Sequence, residues 1–294
     1  MKRILIAGAT GYLGRYLVKS FKEQGFWVRV LVRDRGTLAQ NGPFFSPAVS
    51  SIVDDIHVGD VTKPNSLTGA CNGVDYVCSA IGLTRQAGEQ TFYDVDYAGN
   101  LQLLREAERH NVAKFMYIHV CKGEIMNNPI VFYKQAFTKQ LHHSTIPTPI
   151  IIKPTGYFSD MSDILKMAQS GRVYLLGSGS YKLNPIHGED LADYCADAMN
   201  ANTVSELEVG GPTVFMHREI ASLAFKVLHK QPKIVYIPHV VIKPIFPVLK
   251  VINPTWYALA SFFYEGMGMD VTAPPYGKEE LKDYFHSLLD INNS

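Results

Sequence analysis

The chain has 294 residues, 47% of them hydrophobic and 19% charged, which is enough for one large or two modest domains with a substantial buried core and excludes a disordered tail. Lys and Arg number 28 against 27 Asp and Glu, a formal charge of +1, so no global field draws the chain to nucleic acid or to an anionic membrane surface.

The amino terminus, MKRILIAGATGYLG, reads as a first strand rather than a signal segment, because Gly and Thr interrupt its apolar run within a few residues. From there short apolar runs alternate with longer amphipathic ones, the pattern of successive βαβ units and a parallel sheet. Strands are expected over 3–7, 27–32, 56–58, 74–80, 114–120 and 148–152, and helices over 12–23, 66–71, 96–111 and 133–143. Beyond Pro154 glycines and prolines become frequent and the alternation breaks. A first domain over 1–154 and a smaller region over 155–294 are therefore expected, with short elements at 172–175, 191–199, 205–209 and 217–228, some of them returning to the first sheet. The most apolar stretch, 240–263, holds Lys243, Lys250 and three prolines, which a lipid-spanning helix tolerates poorly. Packing into the core is the expected role, with an apolar groove or a peripheral membrane contact as open but less favoured alternatives. Residues 292–294 are expected to fray. The four cysteines, Cys71, Cys78, Cys121 and Cys195, show no metal-finger or CxxC spacing, which points to a reducing, cytoplasmic setting and no metal site.

Gly8-Ala9-Thr10-Gly11-Tyr12-Leu13-Gly14 follows a predicted strand and opens a predicted helix. In that context the first glycine permits the sharp turn, the second lets the backbone approach a pyrophosphate and the third lets helix and strand pack closely. Exposed N–H groups and the positive end of the helix favour an anion there. The spacing is GxxGxxG, where the familiar dinucleotide fingerprint is GxGxxG. At the end of the second strand stands Arg33. An acidic residue there accepts bonds from the ribose hydroxyls of NAD, whereas an arginine pairs with a 2′-phosphate. NADP(H) is thus favoured over NAD(H), although Asp34 next door can still reach a ribose.

The runs GATGYLGRYLV, VRVLVRD, HVGDVT, VDYVCSAIG, VDYAGNLQLLREA and KFMYIHV, with NPIHGEDLADYCADAM and EVGGPTVFMHREIASLAFKVL further on, resemble the atypical short-chain dehydrogenase/reductases of the NmrA-like or isoflavone-reductase-like kind, whose relatives include divinyl chlorophyllide reductase. The resemblance covers nearly the whole chain. It implies an α/β fold, a Rossmann-like doubly wound parallel sheet with a smaller C-terminal α/β substrate region. It also implies that Gly8, Thr10, Gly11, Tyr12, Leu13 and Gly14 line the pyrophosphate and Arg33 the 2′-phosphate. Asp60 and Val61 would flank the adenine, Ala80, Ile81 and Gly82 the ribose, and Pro154 and Thr155 the nicotinamide side. From the residues alone, a turn-forming Asp60 is the default reading.

Conventional members of the wider group pair a tyrosine with a lysine four residues later, the lysine lowering the phenol pKa for proton exchange. Here the residue four before Lys134 is Ile130, and His119-Val120-Cys121 stands where a serine is expected. The usual triad is incomplete. Lys134 remains a candidate for cofactor contact and proton transfer, and His119, at the ligand-facing edge of the sheet, is a second proton-donor candidate or else a core histidine. The expected function is an NADP(H)-binding reductase that transfers hydride to a C=C or C=O of a small to medium apolar substrate. The alternative is a non-catalytic NADP(H)-sensing regulatory or accessory protein with a protein partner. A monomer or weak homo-oligomer that binds no nucleic acid is expected in either case.

Overall fold

The protein is described by a computed structural model covering residues 1–83, 90–201 and 205–292; the fraying expected at the carboxyl end falls largely on 293–294, outside the described residues. In chain order the first elements are β1 (Arg3–Ala7), α1 (Tyr12–Glu23), β2 (Trp27–Val32), β3 (Asp55–Val58), β4 (Tyr76–Ser79), α2 (Asn100–Arg109), β5 (Lys114–Ile118), α3 (Pro129–His142) and β6 (Thr148–Pro154). There follow α4 (Phe158–Gln169), β7 (Val173–Leu176), β8 (Lys182–Leu183), α5 (Gly188–Asn200), β9 (Ser205–Val209), β10 (Phe215–Met216) and α6 (His217–Val227). Last come β11 (Ile234–Ile237), α7 (His239–Ile242), α8 (Ile245–Ile252), α9 (Pro254–Met267) and α10 (Leu281–Asn292).

The chain divides into two units, each assembled from separate stretches. The first comprises Met1–His119, Pro129–Lys153 and Leu191–Leu207, the second Val120–Asn128, Pro154–Asp190 and Glu208–Ser294. Seven strands run in the order β3-β2-β1-β4-β5-β6-β9, and the pairs from β3 through β6 are all parallel. This is a Rossmann-like α/β fold. The strand order reverses beside β1, so the loops leaving β1 and β4 part at the carboxyl edge and open the crevice where such sheets bind ligands. Strands β4 and β5 are buried along their whole length, as expected of central parallel strands covered on both faces. One side of the sheet packs Leu5, Val77, Phe115, Phe137, Leu141 and Ile151 into a single core, each such side chain contributing roughly 1.5–3 kcal/mol when fully buried.

The helix expected at 133–143 begins earlier, at Pro129, and two others differ further. The expected 66–71 helix is a 3-10 turn at Pro64–Leu67, because Gly69 adopts a φ of +80° and stops propagation. The expected 96–111 helix begins earlier, as a π-helical segment over Tyr93–Gly99, before α2 continues it.

In the second unit β7 and β11 form a parallel two-stranded ribbon and β8 pairs β10 antiparallel. Phe158, Phe225 and Phe285 are fully buried there. Asn184, also fully buried, donates Nδ2–H to the Gly211 and Ala273 carbonyls and accepts from the Ala273 N–H. Asp190 accepts from the backbone N–H groups of Lys278 and Glu279. The 240–263 stretch does not enter the core as expected. Val240, Val241, Ile245, Val248, Val251, Ile252, Trp256 and Phe263 are all exposed, because the prolines break the stretch into short helices, of which α7 and α8 only half-bury one side and leave the other outside. Among the described residues no helix is long and apolar enough to cross a membrane.

Candidate functional site

The glycine turn is built by the close approach of two backbones. Gly8 has a φ of +88°, and a Cβ on it would stand 2.9 Å from the Ala80 carbonyl oxygen. A Cβ on Gly14 would stand 2.0 Å from the Gly8 carbonyl oxygen, so any side chain there forces β1 and α1 apart. Gly11 donates its N–H to Gly8 O at 3.0 Å and is the N-cap of α1. Having no side chain, it offers the first-turn N–H groups no acceptor, and no acidic residue stands in that turn. The side chains of Tyr12 and Leu13 are buried, Tyr12 lying edge-on to Tyr16 and Phe44. These two positions therefore present backbone, not side chain, to a ligand.

Sequence reasoning missed Arg15. It is almost fully buried, donating to the carbonyls of Thr10 at 3.2 Å, Gln40 at 2.6 Å and Pro47 at 3.0 Å, and to Thr37. One guanidinium thus fastens the loop after β2 to the glycine turn, and its burial works to lower its pKa. A buried arginine carries no local sequence signal, since arginines are ordinarily solvated.

Arg33 is exposed at the end of β2. Asp34 is engaged locally, accepting the Gly36 N–H at 2.9 Å at the start of a 3-10 turn. Asp60 uses Oδ1 to accept from the Thr62 N–H and hydroxyl, the turn geometry that the residue type alone suggests. Partial burial works to raise its pKa, but the Thr62 bonds and the charges of Arg33 and Lys63 hold it below the usual carboxylate range. Arg33 and Asp60 therefore share one corner. Beside it Val61 and Ile81 pack against the core, and a cavity of ≈ 320 Å³ opens between Val61, Thr62, Gln90, Asp94, Ala98 and Gln102.

The end of β4 is fixed by side chains. The Ser79 hydroxyl donates to Asn100 Oδ1 at 2.5 Å, and Asn100 Nδ2 donates to the carbonyls of Asp96 and Val95. All three polar residues, Ser79, Asn100 and Asp96, are fully buried. Asp96 Oδ2 accepts the Leu83 N–H at 3.0 Å, while Oδ1 has no hydrogen bond and faces Lys134 Nζ at 3.4 Å. Burial holds the Asp96 pKa above its ordinary value, against the opposing pull of Lys134 and the Leu83 N–H. Lys134 also reaches the Tyr117 hydroxyl at 3.5 Å and the Ile118 carbonyl at 3.3 Å. A Cβ on Gly82 would stand 2.9 Å from Asp96 Oδ1 and 3.1 Å from Lys134 Nζ, so glycine alone keeps that corner open. His119 follows β5, nearly buried, with its ring 6.3 Å from that of Tyr117.

Pro154 and Thr155 belong to the second unit. There Pro154 O accepts the Cys121 N–H at 2.9 Å, and Thr155 donates its N–H to Val209 and its hydroxyl to Asn184 O. Cys121 and the other three cysteines are buried free thiols. Burial pushes the thiols of Cys71, Cys78 and Cys121 up to about 12 and that of Cys195 well above its ordinary value.

A dinucleotide fits the first unit on its own geometry. The backbone cradle at Gly8 and Gly14 excludes any Cβ, the α1 terminus lacks a carboxylate, and the loops from β1, β2, β3 and β4 meet along one edge. Residues 4–121 match the NAD dependent epimerase/dehydratase family. The chain is 26% identical over 324 residues to the chloroplastic divinyl chlorophyllide a 8-vinyl-reductase of Zea mays, covering 97% of this chain and 79% of that protein. It is 24% identical over 262 residues to the mitochondrial NADH-ubiquinone oxidoreductase 40 kDa subunit of Neurospora crassa, with 87% and 68% covered. The NADPH-dependent quinone oxidoreductase of Escherichia coli, solved with NADPH, superposes with a TM-score of 0.70 at 15% identity, covering 97% of this chain and 99% of that one. By sequence the chain is thus similar over residues 4–121 to the NAD dependent epimerase/dehydratase family, and it shares its Rossmann-like fold with the solved quinone oxidoreductase.

Proposed function

We propose that the protein is an NADP(H)-dependent reductase acting on a C=C or C=O group of a small to medium apolar substrate. The observation that carries this reading is the Cβ-excluding backbone cradle at Gly8 and Gly14, set at the uncapped start of α1. Thr10 to Gly14 would hold the pyrophosphate with backbone N–H groups. Arg33, exposed and next to Asp60, would pair with a 2′-phosphate, the basis for preferring NADP(H). Val61, Ala80, Ile81 and Gly82 would border the adenosine half. The bound dinucleotide would supply the hydride.

Lys134 is held by Asp96, Tyr117 and the Ile118 carbonyl, an arrangement that keeps its ammonium in one place at the Gly82 corner. In this reading it orients the ribose and keeps a proton at Nζ available to the reduced substrate. His119 is the second donor. Relatives named for reduction of a vinyl group and of quinones support a conjugated, apolar substrate.

The test is fluorescence titration with NADPH and NADH, followed by NADPH oxidation with a quinone and an enone as acceptors. NADPH is expected to bind more tightly than NADH, and turnover is expected to fall at least about a hundredfold in Lys134→Met, the low end for a general-acid contribution. Absence of binding rejects the nucleotide reading. Binding without oxidation by any acceptor favours an NADP(H)-sensing accessory protein, a second reading supported by Ile130 in the tyrosine position and by the likeness to a subunit of a larger complex.

A further inference from the structure

We propose that the segment from α7 to α9 is a peripheral membrane-docking element that seats on an anionic lipid bilayer. Helices α7 and α8 carry apolar side chains on both their inner and outer sides, with Lys250 the charged residue of α8. The inner residues Ile242 of α7 and Phe246 and Leu249 of α8 line an apolar cavity of ≈ 270 Å³, and Phe246 packs edge-on to Tyr264 of α9 at 4.9 Å. The outward positions Val241, Ile245, Val248 and Ile252 repeat at helical spacing and are also apolar, with Val251 beside them 83% exposed and Ile252 76% exposed. The outer face of a solvated helix is ordinarily polar, whereas here Lys250 is the one charged residue on α8 and the outward positions are otherwise apolar.

Charge selects the occupant. Lys243 and Lys250 are the only formally charged side chains, and both are cationic, in the stretch from 239 to 264. Glu265, the next carboxylate, is engaged by the Asn127 N–H and the Asn128 amide. A second copy of the same face would set these lysines against like charges, whereas an anionic headgroup layer complements them. The aliphatic lysine stems can lie along the apolar surface with their ammonium groups at headgroup level. Trp256, 61% exposed at the start of α9, is the residue type that settles at that depth. Proline separates the short helices, so the element lies in the interface plane and does not span.

The experiment is flotation of the full chain with vesicles of phosphatidylcholine mixed with phosphatidylglycerol and, separately, with phosphatidylcholine alone. Binding is expected to the mixed vesicles, with weakening by salt and a blue shift of tryptophan emission. The double variant Val251→Asp with Ile252→Asp is expected to lose about a hundredfold or more in partitioning, from the two apolar side chains withdrawn from lipid. Lys243→Glu with Lys250→Glu is expected to lose at least about thirtyfold. Both pairs lie on the surface, and unchanged thermal melts will show that the variants fold. No flotation by the wild type with either vesicle overturns the proposal, as does undiminished flotation by both variants. A concentration-dependent dimer that Val251→Asp with Ile252→Asp dissolves, without vesicle binding, also overturns it in favour of a second copy. None of these outcomes depends on whether the chain binds NADPH.

Discussion

The glycine turn and the Lys134 corner lie in the same unit but are built on opposite plans. The turn is made of backbone: its requirement is that Gly8 and Gly14 carry no side chain, so that the Ala80 and Gly8 backbones can close on them. The corner is made of side chains, with Asp96 buried against Lys134 and Asn100 bonded to Ser79 across the space between β4 and α2. A backbone site tolerates change in its neighbours as long as the path of the chain holds. A buried polar cluster tolerates almost none, because each member removed leaves another unpaired.

That contrast is most sharply tested at Asp96. Asp96→Ala is expected to destabilise the protein by about 3 kcal/mol, the lower end for breaking a buried pair, since Lys134 keeps two other partners; urea unfolding measures it. The isosteric Asp96→Asn adds a pH signature. Burial holds the Asp96 pKa up, with Lys134 and the Leu83 N–H opposing, so the folded state binds this proton more readily than the unfolded one. Its charge is therefore a cost at neutral pH that is relieved as pH falls through the raised pKa towards about 4. Wild-type stability minus that of Asp96→Asn is expected to rise over that descent, and a flat or falling difference rejects the buried-charge account.

Gly14→Ala comes next, at about 1–3 kcal/mol from overpacking, with NADPH affinity falling alongside in a fluorescence titration; unchanged stability and affinity would remove the cradle from the argument. Arg33→Asp is expected to leave thermal stability alone and to weaken NADPH by roughly 10–100-fold, equivalent to one charge-assisted bond, while NADH is little affected. Smallest is Phe44→Ala, which removes the edge-on contact with Tyr12 and is expected to cost about 1 kcal/mol in a thermal or urea melt.

How far each region was legible in the sequence follows from the same contrast. The turn shows because glycine at 8, 11 and 14 leaves a mark at fixed spacing between a strand and a helix, and Arg33 shows because strand ends can be counted. Lys134 is picked out by its place in the resembled family's pattern, but its partner Asp96 is not. Asp96 read as the first residue of an α-helix because Leu101, Leu104 and Ala107 set a helical period, and nothing in that period reveals the π-helical segment before it. Arg15 and Asn100 act through contacts distant in sequence, which one sequence does not record. The apolar character of 240–263 was plain, yet hydropathy alone does not distinguish a buried side chain from one at the surface.

The four buried cysteines have a practical consequence. Thiols held well above their ordinary pKa by burial and closed off from solvent will scarcely react with maleimides or nitroxide reagents at neutral pH. The native chain is thus a silent background for labelling, and one cysteine placed at position 251 would carry a spin label or fluorophore with no prior removal of natural thiols.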